Sequence, residues 1–172
     1  MKKILYLLLT LSLFSCLSDD DFERNQAELE QQQREFNEQL EKDTKIIEDY
    51  IKENGLDSVM TTRQGLHYKI IKPGEGENAK PNDAVVVTYN GRFLDGTVFD
   101  KTEEDKPVEF NITQRLIFGF AQGLTLLKPG GKATLLIPSG LGYGRTGRAN
   151  ADPVVKPNTI LLFDIELLEI IN

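Results

Sequence analysis

The 172-residue chain is 40% hydrophobic and 27% charged, a composition that indicates a soluble protein with one ordinary domain and extensions. Its formal charge of −7 is concentrated in one segment, because residues 17–58 carry 14 acidic and 5 basic side chains whereas residues 59–172 carry 13 of each. The sequence contains no concentrated basic patch, which argues against nucleic acid as a partner because phosphate backbones require one.

A targeting signal is predicted over residues 1–15. Lys2 and Lys3 precede the eleven-residue apolar run "ILYLLLTLSLF", which is too short to span a bilayer and is typical of a secretory signal. The run ends in "LFSC", which resembles the lipobox of bacterial lipoproteins, in which Cys16 is lipidated (for example with palmitate) and becomes the mature N-terminus. An ordinary secretory peptide that contains a cysteine is the alternative. Cys16 is the single cysteine, so no internal disulfide is expected.

The acidic stretch "LSDDDFE" follows Cys16. It resembles a tag with which some Gram-negative bacteria send lipoproteins to the cell surface, and a solvated linker explains it equally well. The expected location is therefore the cell envelope of a Gram-negative bacterium. We expect a lipid anchor in the outer membrane, with the protein on either the periplasmic or the surface face.

A largely helical acidic arm is predicted over residues 16–58. From Phe22 to about Asn54 there is no proline or glycine, and the good helix formers Glu, Gln and Lys dominate. Apolar residues recur near a seven-residue spacing that polar residues, Asp43 among them, interrupt. The arm is interpreted as a stalk, as a helix that forms a homodimer, or as a spacer whose last turns pack on the domain. Gly55 is placed to end the helix.

The globular domain is predicted over residues 59–172, because the hydrophobic period changes from helical to alternating after Gly65. One short helix is predicted at 114–127. The predicted strands lie at 66–72, 84–93, near 98–99, and at 107–112, 131–138 and 159–170. The fold class is α+β, with a bent antiparallel sheet of about five strands wrapped on the short helix and preceded by the N-terminal helical arm.

A G-x-G-x-x-G match occurs at 142–147, "GYGRTG". A phosphate-binding loop of this kind must open a helix whose N-terminus holds the phosphate. The residues that follow, "RANADPVVKP", contain two prolines and no apolar helical period. Nucleotide binding is therefore rejected, and the glycines are interpreted as allowing a tight loop around Tyr143.

Few residues are available for nucleophilic or metal chemistry. The single histidine, His67, lies in a predicted strand, where a surface position is expected, and no serine-rich nucleophile elbow lies near it. No CxxC, HExxH or Asp-rich calcium loop is present in the sequence. We therefore expect a function that needs neither a metal nor a cofactor.

The stretch "VVVTYNGRFLDGTVFD" resembles the FKBP-type peptidyl-prolyl cis-trans isomerases, the macrolide-binding immunophilins. The matching motifs are Tyr89-Asn90-Gly91, Asp95-Gly96 and Phe99-Asp100. The resemblance continues through "LIFGFAQGLTLLKPGGKATLLIP", "GYGRTG" and "PNTILLFDIELLEI", and covers about residues 65–171. It implies isomerisation of Xaa-Pro bonds, with proline-containing polypeptides as partners and macrolides as possible ligands.

The resemblance also implies a binding cleft. Its walls and floor would be formed by Tyr89, Phe99, Leu116, Ile117, Phe120, Tyr143, Val155 and Phe163, with Val108 where the family often has a wall phenylalanine. The implied catalytic residues are Asp100 at the rim, the backbone N–H of Ile117 and the hydroxyl of Tyr143. Helical spacing independently puts Leu116, Phe120 and Leu124 on one face.

Some positions depart from the family pattern. Arg148 stands where a histidine is common, the loop over 148–153 is longer than usual, and "KTEEDK" after Asp100 lacks an arginine that could pair with that aspartate. These departures are expected to affect substrate preference and macrolide affinity. Two other functions remain open: a chaperone module that binds proline segments with little isomerisation, and a structural lipoprotein of an envelope assembly.

Overall fold

The computed structural model describes residues 19–103, 106–113 and 115–171. The predicted signal and Cys16 lie outside these residues. The helices are α1 (Asp19–Glu53) and α2 (Phe118–Thr125). The strands are β1 (Met60–Thr61), β2 (His67–Lys72), β3 (Ala84–Arg92), β4 (Val98–Lys101), β5 (Val108–Asn111), β6 (Gly131–Ile137) and β7 (Leu161–Ile171). Neither helix is both long enough and apolar enough to cross a membrane, within the part of the chain that is described.

The chain divides into two compact units, residues 1–37 and residues 38–172. In the first unit, residues 19–37 are helical and polar. Gln31 donates to Glu35 (3.0 Å) and Gln33 donates to Asn37 (2.9 Å), and such pairs one turn apart stabilise a helix. The helix expected from the sequence is therefore present in this segment.

The second unit is built on an antiparallel sheet with the strand order β1-β2-β6-β7-β3-β4. Strand β3 pairs with β7 along its length, and its other edge is shared by β4, which pairs with residues 90–92, and β5, which pairs with residues 84–87. Alternating valines, Val85 and Val87, are fully buried on one face of β3. The expected antiparallel sheet and short helix are confirmed, and β1 is an additional strand too short to show alternation in the sequence.

Helix α2 lies close against strand β6. Its buried face includes Gly119 and Gly123, one turn apart, and a Cβ on either glycine would collide with the side chain of Ile137 or Leu135. The helix begins later than predicted because Ile117 takes an extended conformation (φ −58°, ψ 138°) as its N-cap. The close approach brings Phe120, which is on the same buried face, against the aromatic residues of the sheet.

The last turns of α1 belong to the core of the second unit. Ile47 is fully buried in a cluster with Leu136, Ile160 and Leu162. The neighbouring Asp43, which interrupts the apolar pattern in the sequence, is 1% exposed and hydrogen-bonded. Residues 38–53 therefore pack as part of the folded unit.

His67 departs from the sequence prediction. It was expected on the surface and is 5% exposed, and its strand β2 lies inside the sheet, between β1 and β6. Its Nδ1 lies 3.0 Å from the carbonyl oxygen of Gly65. Burial lowers the pKa of His67 below its usual value, so the ring is neutral at pH 7.

Candidate active site

An aromatic cleft of about 190 Å³ lies between the start of α2 and the sheet. Its lining residues are Tyr89, Asp100, Phe110, Arg115, Leu116, Ile117, Phe120, Tyr143 and Phe163. Sites for drug-sized ligands usually enclose about 300–1,000 Å³. The cleft is therefore of a size for one small ring or side chain.

The floor of the cleft is the ring of Phe120, which is 4% exposed. The ring of Phe163 meets it at 5.1 Å and that of Tyr89 at 5.5 Å, both close to edge-on, and Phe110 lies 6.1 Å away. These separations lie in the range that aromatic pairs prefer, which holds each ring in a defined orientation. The result is a rigid apolar floor.

Gly91, in the Tyr-x-Gly motif of β3, makes room for this ring packing. A Cβ at Gly91 would lie 2.6 Å from Cε1 of Phe163 and 3.1 Å from Cζ of Phe99. Any side chain here would displace the Phe163 ring from the cleft wall. The glycine of the motif is therefore explained by the close approach of two rings.

Asp100 lies at the rim, where its carboxylate meets the hydroxyl of Tyr89 and the guanidinium of Arg148. The hydroxyl of Tyr89 donates to Oδ1 of Asp100 (3.2 Å), and the guanidinium of Arg148 donates to Oδ2 (3.3 Å). Burial and the nearby charge of Asp100 raise the pKa of Tyr89 to about 12. Tyr89 is therefore a neutral hydrogen-bond donor at physiological pH.

Arg148 also contacts the second tyrosine of the site. Its Nη1 donates to the hydroxyl of Tyr143 (3.3 Å), and its guanidinium carbon lies 5.8 Å from the centre of the Tyr143 ring. The segment after Asp100 contains no arginine that could pair with this aspartate. In the structure the pairing arginine is Arg148, which follows Tyr143 in the chain. One guanidinium thus links β4 to the loop that carries Tyr143.

The G-x-G-x-x-G segment forms this loop, and residues 148–171, which follow it, contain no helix. Gly144 and Gly147 have φ values of +58° and +65°, a backbone conformation that residues with a side chain rarely adopt. The N–H of Gly147 donates to the carbonyl of Tyr143 (3.1 Å), which closes the turn around that residue. The glycines shape a loop that presents Tyr143, as the sequence predicted.

The sequence profile described as FKBP-type peptidyl-prolyl cis-trans isomerase matches residues 75–168, which contain every residue of this cleft. The chain belongs to this family.

Curated relatives carry the same family name. The chain is 46% identical over 125 residues to a probable FkpA isomerase of Neisseria meningitidis serogroup B, a match that covers 72% of this chain and 44% of that relative. It is 40% identical over 124 residues to FkpA of Escherichia coli K12, covering 72% of this chain and 43% of that relative. The chain thus matches less than half the length of these two relatives.

Solved structures show the same fold. The crystal structure of FkpA from Escherichia coli superposes with a TM-score of 0.65 at 32% identity, covering 91% of this chain and 74% of that chain. A peptidyl-prolyl cis-trans isomerase from Pseudomonas syringae pv. tomato superposes with a TM-score of 0.64 at 28% identity, covering 77% of this chain and 96% of that chain.

Seven of the ten residues expected to form the FKBP cleft line it, and three lie elsewhere. Phe99 is 5% exposed; its ring stacks on Phe93 (5.1 Å) and meets Phe163 edge-on (5.5 Å), so it supports a wall residue. Val108 is on β5 but not among the lining residues. Val155 is 1% exposed and exchanges backbone hydrogen bonds with Arg148, which anchors the loop.

Three residues of the site were not identified from the sequence. Phe110 lies two positions after Val108, so the period of a β-strand puts both on one face and could have indicated it. Arg115 precedes α2 in an exposed turn and lines the cleft mouth. Arg148 is far from Asp100 in sequence, and no local pattern indicates that the two side chains meet.

The start of α2 supplies the remaining part of the wall. Leu116 and Ile117 are half-buried and line the cleft immediately before the helix. The backbone N–H of Ile117 precedes the hydrogen-bond ladder of α2, because Ile117 is its N-cap. The Ile117 amide therefore lies in the cleft wall, ahead of the helical ladder.

Proposed function

We propose that this protein is a peptidyl-prolyl cis-trans isomerase that acts on Xaa-Pro bonds of envelope proteins and assists their folding. The observation that carries the proposal is the cleft itself: five aromatic side chains line one small cavity, with the carboxylate of Asp100 at its rim. The chemistry requires no bond to break, which is consistent with a site built from apolar side chains and hydrogen-bond donors.

The apolar cleft would lower the barrier to rotation of the prolyl peptide bond. Resonance keeps a peptide bond planar, with a rotation barrier of about 18–20 kcal/mol. In the twisted transition state the carbonyl is less dipolar, so a site poor in water favours it over the planar form. An acceleration of about 10⁵–10⁶ requires only roughly 7–8 kcal/mol of such preference.

The polar groups of the rim would orient the substrate. The prolyl ring would lie on Phe120, the amide of Ile117 would donate to the carbonyl of a residue next to the proline, and the hydroxyl of Tyr143 would serve as a second donor. Asp100 would hold the hydroxyl of Tyr89 and the guanidinium of Arg148 in place, since it accepts hydrogen bonds from both.

The proposal is tested with a prolyl-tetrapeptide isomerase assay. Asp100→Ala and Tyr143→Phe are expected to lower kcat/KM by about tenfold and Phe120→Ala by more, because one hydrogen bond or one ring is worth about 1–3 kcal/mol here. Asp49→Ala, which removes an exposed carboxylate of α1, serves as the control. Wild-type rates for both Asp100→Ala and Phe120→Ala in folded protein would refute the assignment.

A second candidate function is capture of unfolded chains with little isomerisation. A larger groove of about 740 Å³ adjoins the cleft and shares Phe110, Arg115 and Leu116 with it, so a longer segment could lie across both. Suppression of aggregation of a denatured client by a Phe120→Ala variant that has lost isomerase activity would favour this function.

We also propose a lipid anchor at Cys16, which would attach the protein to the outer membrane. Supporting this are the "LFSC" sequence and the acidic arm that would separate the domain from the bilayer. Mass spectrometry of the protein purified from membranes should find acyl chains on Cys16, and Cys16→Ser should release the protein. Protease treatment of intact cells distinguishes the surface from the periplasmic face.

Two further partners are proposed, a second copy of this chain and a macrolide. A homodimer through the arm is suggested by the exposed Phe22 and Leu29 of α1, each 60% exposed. Light scattering should then give twice the monomer mass, and a chain that lacks residues 17–37 should have the mass of a monomer. One small ring of a macrolide would enter the aromatic cleft, and macrolide binding should compete with a prolyl peptide.

A further inference from the structure

Helix α1 carries a carboxylate that is buried in the second unit. Asp43 is 1% exposed, and a buried carboxylate is costly unless its oxygens are hydrogen-bonded. Its Oδ2 accepts from the backbone N–H (2.7 Å) and the hydroxyl (2.6 Å) of Ser139, and its Oδ1 accepts from the amide of Gln39 (2.8 Å). Asp43 is therefore held by three donors, two of which come from one distant serine.

Ser139 starts the short 3₁₀ turn Ser139–Leu141 that leads into the Tyr143 loop. It is fully buried. Its carbonyl oxygen accepts from the N–H of Gly142 (3.0 Å) and from the N–H of Gly144 (2.8 Å). A single serine thus connects the carboxylate of Asp43 to both amides that flank Tyr143.

This connection holds a loop that glycine would otherwise leave mobile. Gly142, Gly144 and Gly147 surround Tyr143, and glycine has more backbone freedom to lose than any other residue. Beyond Tyr143, the loop is held by the bond from the N–H of Asn158 to the carbonyl of Gly144 (2.9 Å). Before Tyr143, the loop is held by the carbonyl oxygen of Ser139. The backbone N–H and the hydroxyl of Ser139 both donate to Asp43.

We propose that Asp43 and Ser139 are positioning residues that hold Tyr143 over the prolyl cleft, so that the C-terminal turns of α1 form part of the catalytic scaffold. The inference rests on the proposed function, because it concerns the group that would donate to the substrate. It assigns a role in the reaction to a helix that lies before residues 75–168, the part matched by the family profile.

The test compares Asp43→Asn with Asp49→Asn in the full-length chain. Both variants remove one negative charge from α1 without changing side-chain shape, and Asp49 is exposed. Asp43→Asn replaces the charged acceptor of the two Ser139 donors with a neutral amide oxygen, which accepts hydrogen bonds more weakly, so the loop should loosen. We expect kcat/KM to fall about tenfold in Asp43→Asn and to stay within about twofold in Asp49→Asn, because small displacements of a positioned group are costly.

Ile47→Ala separates positioning from stability. It weakens the packing of the same helix but leaves all three bonds to Asp43 in place. At a temperature where every variant is folded, Ile47→Ala should keep kcat/KM within about twofold even if its melting temperature is the lower one. Equal losses of activity in Ile47→Ala and Asp43→Asn would show a structural role only and overturn the inference.

Amide hydrogen exchange gives a readout that does not depend on activity. The N–H groups of Gly142 and Gly144 should exchange at least about tenfold faster in Asp43→Asn than in wild type, while Asp49→Asn leaves them unchanged. Unchanged exchange at both glycines would overturn the inference. If Asp43→Asn does not fold, Ser139→Ala, which removes one of the three donors, is measured in the same way. A wild-type protein without isomerase activity would refute the proposed function, whereas the exchange rates would still test the anchor.

Discussion

Arg148 illustrates how one residue can join two parts of a site. Its guanidinium donates to Asp100 on β4 and to Tyr143 on the opposite loop, at 3.3 Å in each case. The pair with Asp100 is more than a third exposed, so solvent screens it and its contribution is modest. Arg148 therefore matters mainly because it fixes the position of the Tyr143 hydroxyl relative to the carboxylate of Asp100.

Replacement of Arg148 should therefore have a small effect on activity and almost none on folding. We expect Arg148→Ala to lower kcat/KM about two- to fivefold, as for an interaction worth up to about 1 kcal/mol, with an unchanged melting temperature. Arg63→Ala, at an exposed arginine outside the cleft, is the control. A loss of stability equal to the loss of activity would contradict this role.

Tyr89 should titrate later than an ordinary tyrosine. Burial and Asp100 raise its pKa from 10.0 to about 12, so the folded state keeps a proton that the unfolded state loses above pH 10. The stability that this provides is fully present below pH 10 and is lost as the pH rises towards 12. Tyrosinate absorbance should show one late-titrating group that is missing in Tyr89→Phe. A Tyr89 midpoint near 10 would contradict the description of the rim.

At the scale of the elements, the closeness of α2 to β6 depends on two glycines. Alanine is favoured over glycine in a helix by up to about 1 kcal/mol. At position 123, however, a Cβ would collide with Leu135, which is fully buried. The clash with Leu135 should outweigh the gain in helix propensity, because closely packed core side chains can move only slightly.

We expect Gly123→Ala to lower the free energy of unfolding by about 1–3 kcal/mol, measured by urea denaturation. Leu135→Ala makes room for the added methyl group. In the double variant the loss should therefore be smaller than the sum of the two single losses. A stabilised Gly123→Ala variant would show that helix propensity outweighs the contact.

The docking of α1 gives a second prediction at this scale, with adjacent isoleucines as a matched pair. Ile47 is fully buried and Ile46 is 49% exposed. Ile47→Ala should cost about 2–5 kcal/mol of unfolding free energy because it leaves a cavity among Leu136, Ile160 and Leu162. Ile46→Ala should cost less than about 1 kcal/mol. Similar costs in urea denaturation would mean that the helix face is assigned wrongly.

For the whole molecule, the compact unit that contains the cleft begins at residue 38. A shortened chain of residues 38–172 should unfold with the same free energy as residues 17–172 and isomerise prolyl peptides at the same rate. A chain of residues 59–172 lacks Asp43 and Ile47, exposes Leu136 and Ile160, and should lose about 3 kcal/mol or more. Circular dichroism melts and the peptide assay check both expectations. Equal unfolding free energies for the two shortened chains would show that residues 38–58 do not stabilise the domain.

Strands β2 to β7 could be predicted because the residues that favour each strand lie together in its own short segment of sequence. Alternating β-branched residues such as those of β3 produce a period of two that needs no knowledge of distant contacts. Most of the cleft was also predictable, since motifs such as Tyr89-x-Gly91 and Phe99-Asp100 mark their own positions. The choice between Val108 and Phe110, which share a face of β5, could not be made from the period alone.

Side chains that meet across long stretches of sequence could not be predicted. Asp43 reads as an interruption of an apolar stripe, yet it bonds to Ser139, 96 residues later. His67 was expected on the surface, because nothing local shows that its side chain is buried or that β2 lies between β1 and β6. Arg148 and Asp100 pair across 48 residues.

The sequence by itself determined the family, the order of the main elements and most of the aromatic residues of the cleft, because these depend on local periodicity and on short motifs. Only the tertiary structure decided which rings surround Phe120, which arginine pairs with the rim aspartate and which helix contacts the segment before Tyr143. Those outcomes depend on hydrogen bonds and packing between segments far apart in the chain, and the partner of a buried polar group is known only once the chain has folded around it.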